Sequence, residues 1–114
     1  MAALRGEVRL VDLDPTRGHE QAKTRPCIVV SDDRFNRSAA GLVVIVPLTS
    51  VDRGIPWHVL LAAGEGGTRQ DAWAIVEQVR TVSTERLVGE PWGRAPASVM
   101  RAIEERLRLL LDLA

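Results

Sequence analysis

The chain has 114 residues, the length of one small domain that can bury its own hydrophobic core. Its 15 basic and 15 acidic side chains balance, which argues against a general polybasic nucleic-acid binder but allows a local basic groove. No apolar run approaches the roughly 20 residues that cross a bilayer, and residues 1–5 lack the apolar core of a signal peptide, so we expect a cytoplasmic protein. Cys27 is the single cysteine, which excludes an internal disulfide.

The first half of the chain predicts three strands. Loose apolar alternation over residues 6–13 predicts the first strand, and Asp-Pro and Arg-Gly turn signals predict a loop over residues 14–24. The β-branched run at residues 25–31 predicts the second strand. Residues 42–48, the most apolar run, predict a central strand that is buried on both faces and ends near Pro47.

The second half predicts shorter elements and a helix. We expect a strand at residues 57–61, a flexible glycine-rich loop at 62–69, a strand at 71–79, a short helical turn at 81–86 and a Pro/Gly-rich connection at 89–96. Residues 96–113 predict a helix whose apolar stripe is formed by Val99, Ile103, Leu107 and Leu110. This pattern predicts a mostly β domain with α, spanning residues 1–114: a small antiparallel barrel with the helix packed on it.

Three polar residues at loops beside the apolar strands could act on a phosphate. Arg25 cannot serve as a base but can stabilise charge on a phosphoryl group, although its position also fits a surface residue at a strand end. Glu20 could orient Arg25 or accept a proton, or form an exposed ion pair. Thr49 could donate to a phosphate oxygen or be an ordinary turn residue. Together they suit metal-free phosphodiester cleavage, in which the RNA 2′-OH is the nucleophile.

Other side chains allow more than one interpretation. His19 could shuttle protons or face solvent, and His58 could line a nucleotide groove or be a structural residue. Trp57 is the candidate for stacking on an unpaired base. Cys27 lies in an apolar strand and is interpreted as a buried, inert thiol. The spacing of acidic residues and histidines matches no metal-binding motif, so we expect no metal ion.

The chain resembles the MazF/PemK family of toxin endoribonucleases from type II toxin–antitoxin systems over nearly its full length. The matching segments, in chain order, are Gly6-Glu7-Val8, Asp12-Leu13-Asp14-Pro15-Thr16, Gly18-His19-Glu20-Gln21, Arg25-Pro26, Val29-Val30-Ser31, Phe35-Asn36, Pro47-Leu48-Thr49 and Glu77-Gln78-Val79-Arg80. The first loop together with the Arg-Pro pair is the specific part of this signature.

The resemblance implies an SH3-like (CcdB/MazF-like) barrel ending in a helix, a homodimer, and cleavage of single-stranded RNA at short sequences without metal or cofactor. The conserved arginine of the family falls on Arg25, its catalytic threonine on Thr49, and the loop glutamate used by some members on Glu20. The products would carry a 2′,3′-cyclic phosphate and a 5′-hydroxyl. An antitoxin with a disordered acidic tail would block the RNA groove. The candidate RNA-binding residues are Thr16, Arg17, His19, Gln21, Trp57, His58 and Gln78.

Two alternatives to the endoribonuclease hypothesis remain at this point. The same fold could form a non-enzymatic, CcdB-like toxin that binds DNA gyrase through the C-terminal residues 111–114, independently of Arg25. A degenerate family member could also bind RNA without cutting it, although the joint presence of Glu20, Arg25 and Thr49 argues against this.

Overall fold

A computed structural model describes residues 2–113, so Met1 and Ala114, the two ends of the predicted domain, lie outside the described residues. The strands are β1 (Glu7–Asp12), β2 (Thr24–Val29), β3 (Leu42–Thr49), β4 (His58–Leu61), β5 (Ala72–Ile75), β6 (Arg80–Ser83) and β7 (Leu87–Arg94). The helices are α1 (Asp33–Asn36) and α2 (Ala97–Leu110). The predicted mostly β architecture with a C-terminal helix is confirmed.

The strands form one antiparallel sheet in the order β4-β5-β3-β2-β1-β7, with β6 pairing beside this path on β3. One edge of β3 pairs with β2. The other edge is shared, because β6 pairs with the first half of β3 and β5 with its last two residues. The β3 strand is therefore central, as its apolar sequence predicted.

Alternating side chains of the central strands fill two separate cores. In β2, Cys27 belongs to one core and Ile28 to the other, and in β3 Ile45 and Val46 divide in the same way. The larger core also contains Val99, Met100 and Ile103 from the apolar stripe of α2. Period-two alternation in a strand buried on both faces produces this arrangement.

Two predicted boundaries in this region differ from the structure. The β3 strand does not end at Pro47, which lies within the strand opposite Cys27, but continues to Thr49. The single strand predicted at 71–79 is divided by a 3₁₀ turn at Val76–Gln78. This turn carries the chain from the end of β3, where β5 pairs, to its beginning, where β6 pairs.

The prediction of a connection at residues 89–96 is wrong, because most of this segment belongs to β7. The β7 strand is the edge neighbour of β1. An edge strand tolerates Pro91, which lacks an N–H, and Gly89 with its positive φ of 71°. The register of the β1–β7 pair shifts between Val8 and Leu10, which accommodates the irregular backbone of β7.

Burial governs the chemistry of the lone thiol. Cys27 has no exposed surface, and desolvation raises the pKa of its thiol to about 12 from an ordinary 9.0. Because the pKa of this thiol is higher in the folded chain than in the unfolded chain, it contributes to the free energy of unfolding. The contribution is complete below pH 9 and is lost as the pH rises toward 12.

We expect native protein at pH 9 to resist iodoacetamide at Cys27, whereas protein unfolded in urea is alkylated rapidly, because the thiolate is the reactive form. Mass spectrometry of the alkylated protein at several pH values measures this difference. Equal alkylation rates for the native and the unfolded chain at pH 9 would show that the thiol is accessible and ionised.

Candidate active site

The register between β2 and β3 places Arg25 and Thr49 beside each other. Cys27 lies opposite Pro47 in this pair of strands. Extending the antiparallel register by two residues on each strand sets Arg25 opposite Thr49, on the same face of the sheet. Side chains at such opposed positions start from Cβ atoms roughly 4.5–5.5 Å apart. Continued in this way, the register predicts that the guanidinium and the hydroxyl lie on neighbouring positions of the sheet.

Arg25 and Thr49 line one cavity of about 1180 Å³, which we call the main groove. Its first wall is formed by the beginning of β2 and the end of β3. Its second wall comes from residues 67–72, which join β4 to β5, and from Trp92 on β7. The groove is thus assembled from four separate parts of the chain.

The main groove carries a local positive charge although the whole chain is neutral. Lys23, Arg25 and Arg69 contribute three cations to its lining, and Asp71 contributes a carboxylate. The Asp71 carboxylate accepts a hydrogen bond from the backbone N–H of Ala63 at 2.8 Å, so one of its two oxygens is bonded to the protein backbone. Such a surface favours a phosphodiester ligand.

Arg25 and Thr49 are each oriented by a backbone group. The Arg25 Nε donates to the carbonyl of Ala22 at 2.8 Å, and no acceptor within residues 2–113 engages the two terminal nitrogens. Thr49 is 5% exposed, and its Oγ1 accepts the N–H of Val51 at 3.2 Å. The hydroxyl proton of Thr49 thus remains available to donate, as do the terminal N–H groups of Arg25.

Glu20 lies in a second cavity of about 400 Å³, which we call the side groove. Its carboxylate accepts the N–H of Arg17 at 2.7 Å and so closes a turn within its own loop. The structure therefore does not place Glu20 beside Arg25, which the Ala22 carbonyl orients instead. Consecutive residues of β3 line the two cavities, Pro47 the side groove and Leu48 the main groove.

Gln78 joins the loop between β1 and β2 to the 3₁₀ turn that follows β5. Its Oε1 accepts the N–H of Gln21 at 2.7 Å, and its Nε2 donates to the carbonyl of His19 at 3.0 Å. These two bonds flank Glu20 on both sides along the chain. The carboxamide that the sequence suggested for RNA contact thus holds the loop of Glu20 in place.

The remaining predicted RNA-binding residues divide by position. His19 and Gln21 line the side groove, whereas Thr16 and Arg17 lie on the same loop outside both cavities. Trp57 directly precedes β4 and His58 begins it, while the end of that strand pairs with Ala72, which lines the main groove.

His58 is a structural residue in this arrangement. Its side chain is 3% exposed, and its Nε2 contacts the Glu77 carboxylate at 3.0 Å. Its partner Glu77 lines the side groove, whereas His58 is in the lining of neither cavity. The suggested contact of His58 with RNA therefore stays a prediction.

Sequence interpretation missed the second wall of the main groove, because it took residues 62–69 for a flexible loop. Local hydrogen bonds order this segment: Glu65 accepts the N–H of Ala62 at 2.8 Å, and the Thr68 hydroxyl donates to the Glu65 carbonyl at 2.7 Å. Capping-type residues spaced among the glycines were the available signal. The contact of this loop with Trp92 is distant in sequence and left no local pattern.

The family of PemK-like, MazF-like toxins of type II toxin–antitoxin systems matches residues 4–111. The chain belongs to this family. Among its relatives, endoribonuclease MazF9 of Mycobacterium tuberculosis is 44% identical over 96% of each chain. Endoribonuclease PemK of Escherichia coli is 36% identical over 94% of this chain and 80% of its own length.

Solved structures of MazF proteins share the fold of this family member. MazF of Deinococcus radiodurans superposes with a TM-score of 0.87 at 28% identity, covering 98% of each chain. A MazE–MazF structure from the same organism gives a TM-score of 0.82 at 27% identity, covering 100% of this chain and 99% of the other. The predicted CcdB/MazF-like fold is thereby confirmed.

The acidic residues near the first loop have structural contacts in this toxin-family chain. Asp12 accepts the N–H of Asp14 at 3.1 Å, and Asp14 accepts the N–H of Lys23 at 2.8 Å. Across residues 2–113, no three metal-ligating side chains of the His, Cys, Asp or Glu type form a cluster. No helix in that same range has the length and apolarity to cross a membrane.

Proposed function

We propose that this toxin-family protein is a metal-independent, sequence-selective endoribonuclease that cleaves single-stranded RNA. The observation that carries the proposal is that Arg25 and Thr49 line one basic groove, at positions that the register of β2 and β3, continued by two residues, sets opposite each other. The names of its relatives, endoribonucleases MazF9 and PemK, support the same activity. The domain that performs it is the single unit of residues 1–114, most of which the family match covers.

The reaction needs no group beyond RNA and protein side chains. The 2′-oxygen of a ribose attacks the adjacent phosphorus, the bond from phosphorus to the 5′-oxygen breaks, and a 2′,3′-cyclic phosphate and a 5′-hydroxyl result. The terminal N–H groups of Arg25 stabilise the charge that develops on the non-bridging oxygens. The Thr49 hydroxyl donates to one of these oxygens and positions the phosphate for in-line attack.

Glu20 is the candidate proton acceptor for the 2′-hydroxyl. Glu20 lines the side groove and Arg25 the main groove, so the role requires an RNA strand long enough to occupy both. A carboxylate contributes to such a step as a general base. The 5′-oxygen leaving group takes a proton from water or from the conjugate acid of this base.

The proposal is tested by incubating the protein with defined single-stranded RNA in EDTA and mapping the cut ends by mass spectrometry. We expect cuts at a small set of sequences, with cyclic phosphate and 5′-hydroxyl ends. A matched RNA that lacks one 2′-hydroxyl, at the nucleotide 5′ of the cut, should remain intact at that site. Cleavage that requires added metal, or that persists in the 2′-deoxy RNA, would contradict the proposal.

Replacing Gln78 should loosen the loop that carries Glu20. Gln78→Met removes both hydrogen bonds at similar volume, whereas Gln78→Glu keeps the acceptor for Gln21 and loses the donor to His19. We expect cleavage to fall roughly 10- to 100-fold in the Met variant, because misplacing a reacting group by about 1 Å can cost 10²-fold. The Glu variant should be affected less.

Hydrogen exchange at the Gln21 amide provides a readout that is independent of activity. Exchange should be faster in Gln78→Met than in the wild type, and intermediate in Gln78→Glu. Unchanged exchange together with reduced cleavage would indicate direct RNA contact by Gln78, and not a role in holding the loop.

The partners proposed for this chain are a second copy of itself and an antitoxin with an acidic tail. The MazE–MazF structures of Deinococcus radiodurans support a toxin–antitoxin pair. The cations of the main groove, Lys23, Arg25 and Arg69, would attract acidic side chains as they attract phosphates. We propose a cytoplasmic location, where an RNA substrate and such an antitoxin would be found. Sedimentation analysis of the purified protein tests the dimer.

The gyrase-binding alternative is not favoured. The relatives are named endoribonucleases, and the main groove of this chain contains an arginine and a threonine that suit the cleavage proposed above. Of the C-terminal segment on which that alternative depends, Leu111 and Leu113 are exposed, and Ala114 lies outside the described residues.

A further inference from the structure

Trp92 lines the main groove together with the pair that would engage the phosphate. Arg25 and Thr49 belong to the first wall, and Trp92 belongs to the second. A large aromatic side chain on β7, outside every motif of the family signature in this sequence, therefore shares the cavity of the proposed catalytic residues.

The indole is accessible to a ligand. Trp92 is 45% exposed, whereas Trp57, the tryptophan suggested by sequence, lies outside the groove. A half-exposed indole inside a concave, positively charged cavity is suited to stack on an unpaired base, since every base offers a π-face. The volume of about 1180 Å³ exceeds that of a typical pocket for one small ligand, which leaves room for more than one nucleotide.

The backbone that carries Trp92 is packed closely against the loop between β4 and β5. A Cβ at Gly67 would lie 2.2 Å from the Trp92 carbonyl oxygen, and a Cβ at Gly93 would lie 2.8 Å from the carbonyl carbon of Gly66. Glycines on both sides permit this approach. The backbone around Trp92 is thus fixed relative to the loop that completes the second wall.

The neighbours of Trp92 in the second wall can contact a stacked nucleotide. Arg69 and Gln70 are exposed at the end of the loop and line the same groove. A guanidinium and a carboxamide hydrogen-bond base edges or phosphates, and neither forms an apolar surface for a protein partner. The chemistry of this wall therefore favours a nucleotide over an apolar protein segment.

We propose that Trp92 is a specificity-determining residue, on which a base next to the scissile phosphate stacks while Arg25 and Thr49 hold that phosphate. This inference rests on the proposed endoribonuclease function. It assigns the two walls different tasks: the first engages the backbone, and the second engages a base.

The test compares Trp92→Ala, Trp92→Phe and Trp57→Ala in the full-length protein. Binding is measured by fluorescence anisotropy with an RNA that contains the mapped cut site and a single 2′-deoxy nucleotide that prevents cleavage. Cut-site preference is measured by sequencing the ends produced from a randomised RNA. Circular dichroism and gel filtration monitor folding and oligomeric state. If Trp92→Ala loses the native spectrum, Trp92→Leu replaces it, since leucine retains apolar volume without a π-face.

We expect Trp92→Ala to weaken binding roughly 5- to 150-fold and to relax the preference at one nucleotide beside the cut. Trp92→Phe should retain most of both properties, and Trp57→Ala, whose side chain does not line this groove, should leave the preference at that nucleotide unchanged. Unchanged binding and preference in Trp92→Ala, or equal losses in Trp57→Ala, would overturn the inference. A change of oligomeric state in Trp92→Ala would instead identify the indole as a subunit contact and would also overturn it.

These outcomes are distinguishable from failure of the proposed function. If the wild type does not cut RNA in EDTA, the endoribonuclease proposal fails. If the wild type cuts and Trp92→Ala cuts with the same preference, only the role of Trp92 fails.

Discussion

Arg25→Ala should lower the rate of RNA cleavage by roughly 10²–10³-fold, the loss typical when one preorganised donor to a developing charge is removed. The guanidinium is the group in the first wall that can present two terminal nitrogens to a single phosphate. Thr49 can still donate one hydrogen bond to that phosphate, so some activity should remain. Single-turnover cleavage of a defined RNA measures the effect.

Arg25→Lys is the matched control for charge. Lysine keeps the positive charge but lacks the planar fork, and it cannot reproduce the bond from Nε to the Ala22 carbonyl. We expect its rate to lie between those of the wild type and Arg25→Ala. A loss of twofold or less in Arg25→Ala would show that Arg25 does not stabilise the transition state.

The fold should survive both Arg25 substitutions. Arg25 lies near the beginning of β2, its side chain is only partly buried, and its hydrogen bond is to a loop carbonyl. Neither hydrophobic core contains it. Urea unfolding of the variants should therefore stay within about 1 kcal/mol of the wild type. Substantial unfolding would remove the basis for interpreting the activity loss.

Local sequence patterns predicted the central strand and the C-terminal helix well because local physics decides them. The apolar side chains of β3 leave water only if both faces of the strand are buried. The apolar stripe through Val99 and Ile103 leaves water only if α2 packs on the sheet. The β7 strand could not be predicted in the same way. Its pairing with β1 is non-local, and its Pro91 and Gly89 are local signals for a turn.

The candidate site shows the same division between local and non-local information. Arg25 and Thr49 were singled out at strand ends and assigned to the site by the family resemblance, and the register of the two strands, continued by two residues, sets them opposite each other. The position of Glu20 depends on hydrogen bonds from Gln78, a residue in a distant part of the chain whose contacts have no local signature. For the same reason the sequence favoured Trp57 over Trp92 as the stacking residue.

Gly67→Ala should destabilise the protein by about 2–5 kcal/mol and open the second wall of the main groove. Two effects combine at this position. Gly67 has φ of +81°, a conformation that costs an L-residue about 1–2 kcal/mol, and its new Cβ would lie 2.2 Å from the Trp92 carbonyl oxygen. Overpacking of this kind typically costs a further 1–3 kcal/mol. Because the obstacle is backbone, either the loop or β7 must move.

Gly64→Ala separates the two effects within the same loop. Gly64 has φ of +90°, and among residues 2–113 nothing lies within 4 Å of the position that a Cβ would take there, so alanine introduces backbone strain without overlap. It should cost only about 1–2 kcal/mol. Urea unfolding of both variants gives the difference, and RNA binding shows whether the groove has changed. Equal stabilities and equal binding for the two variants would mean that contact between the loop and β7 neither stabilises the fold nor shapes the groove. A larger loss in Gly67→Ala, accompanied by weakened binding, would show that this contact holds the second wall in position.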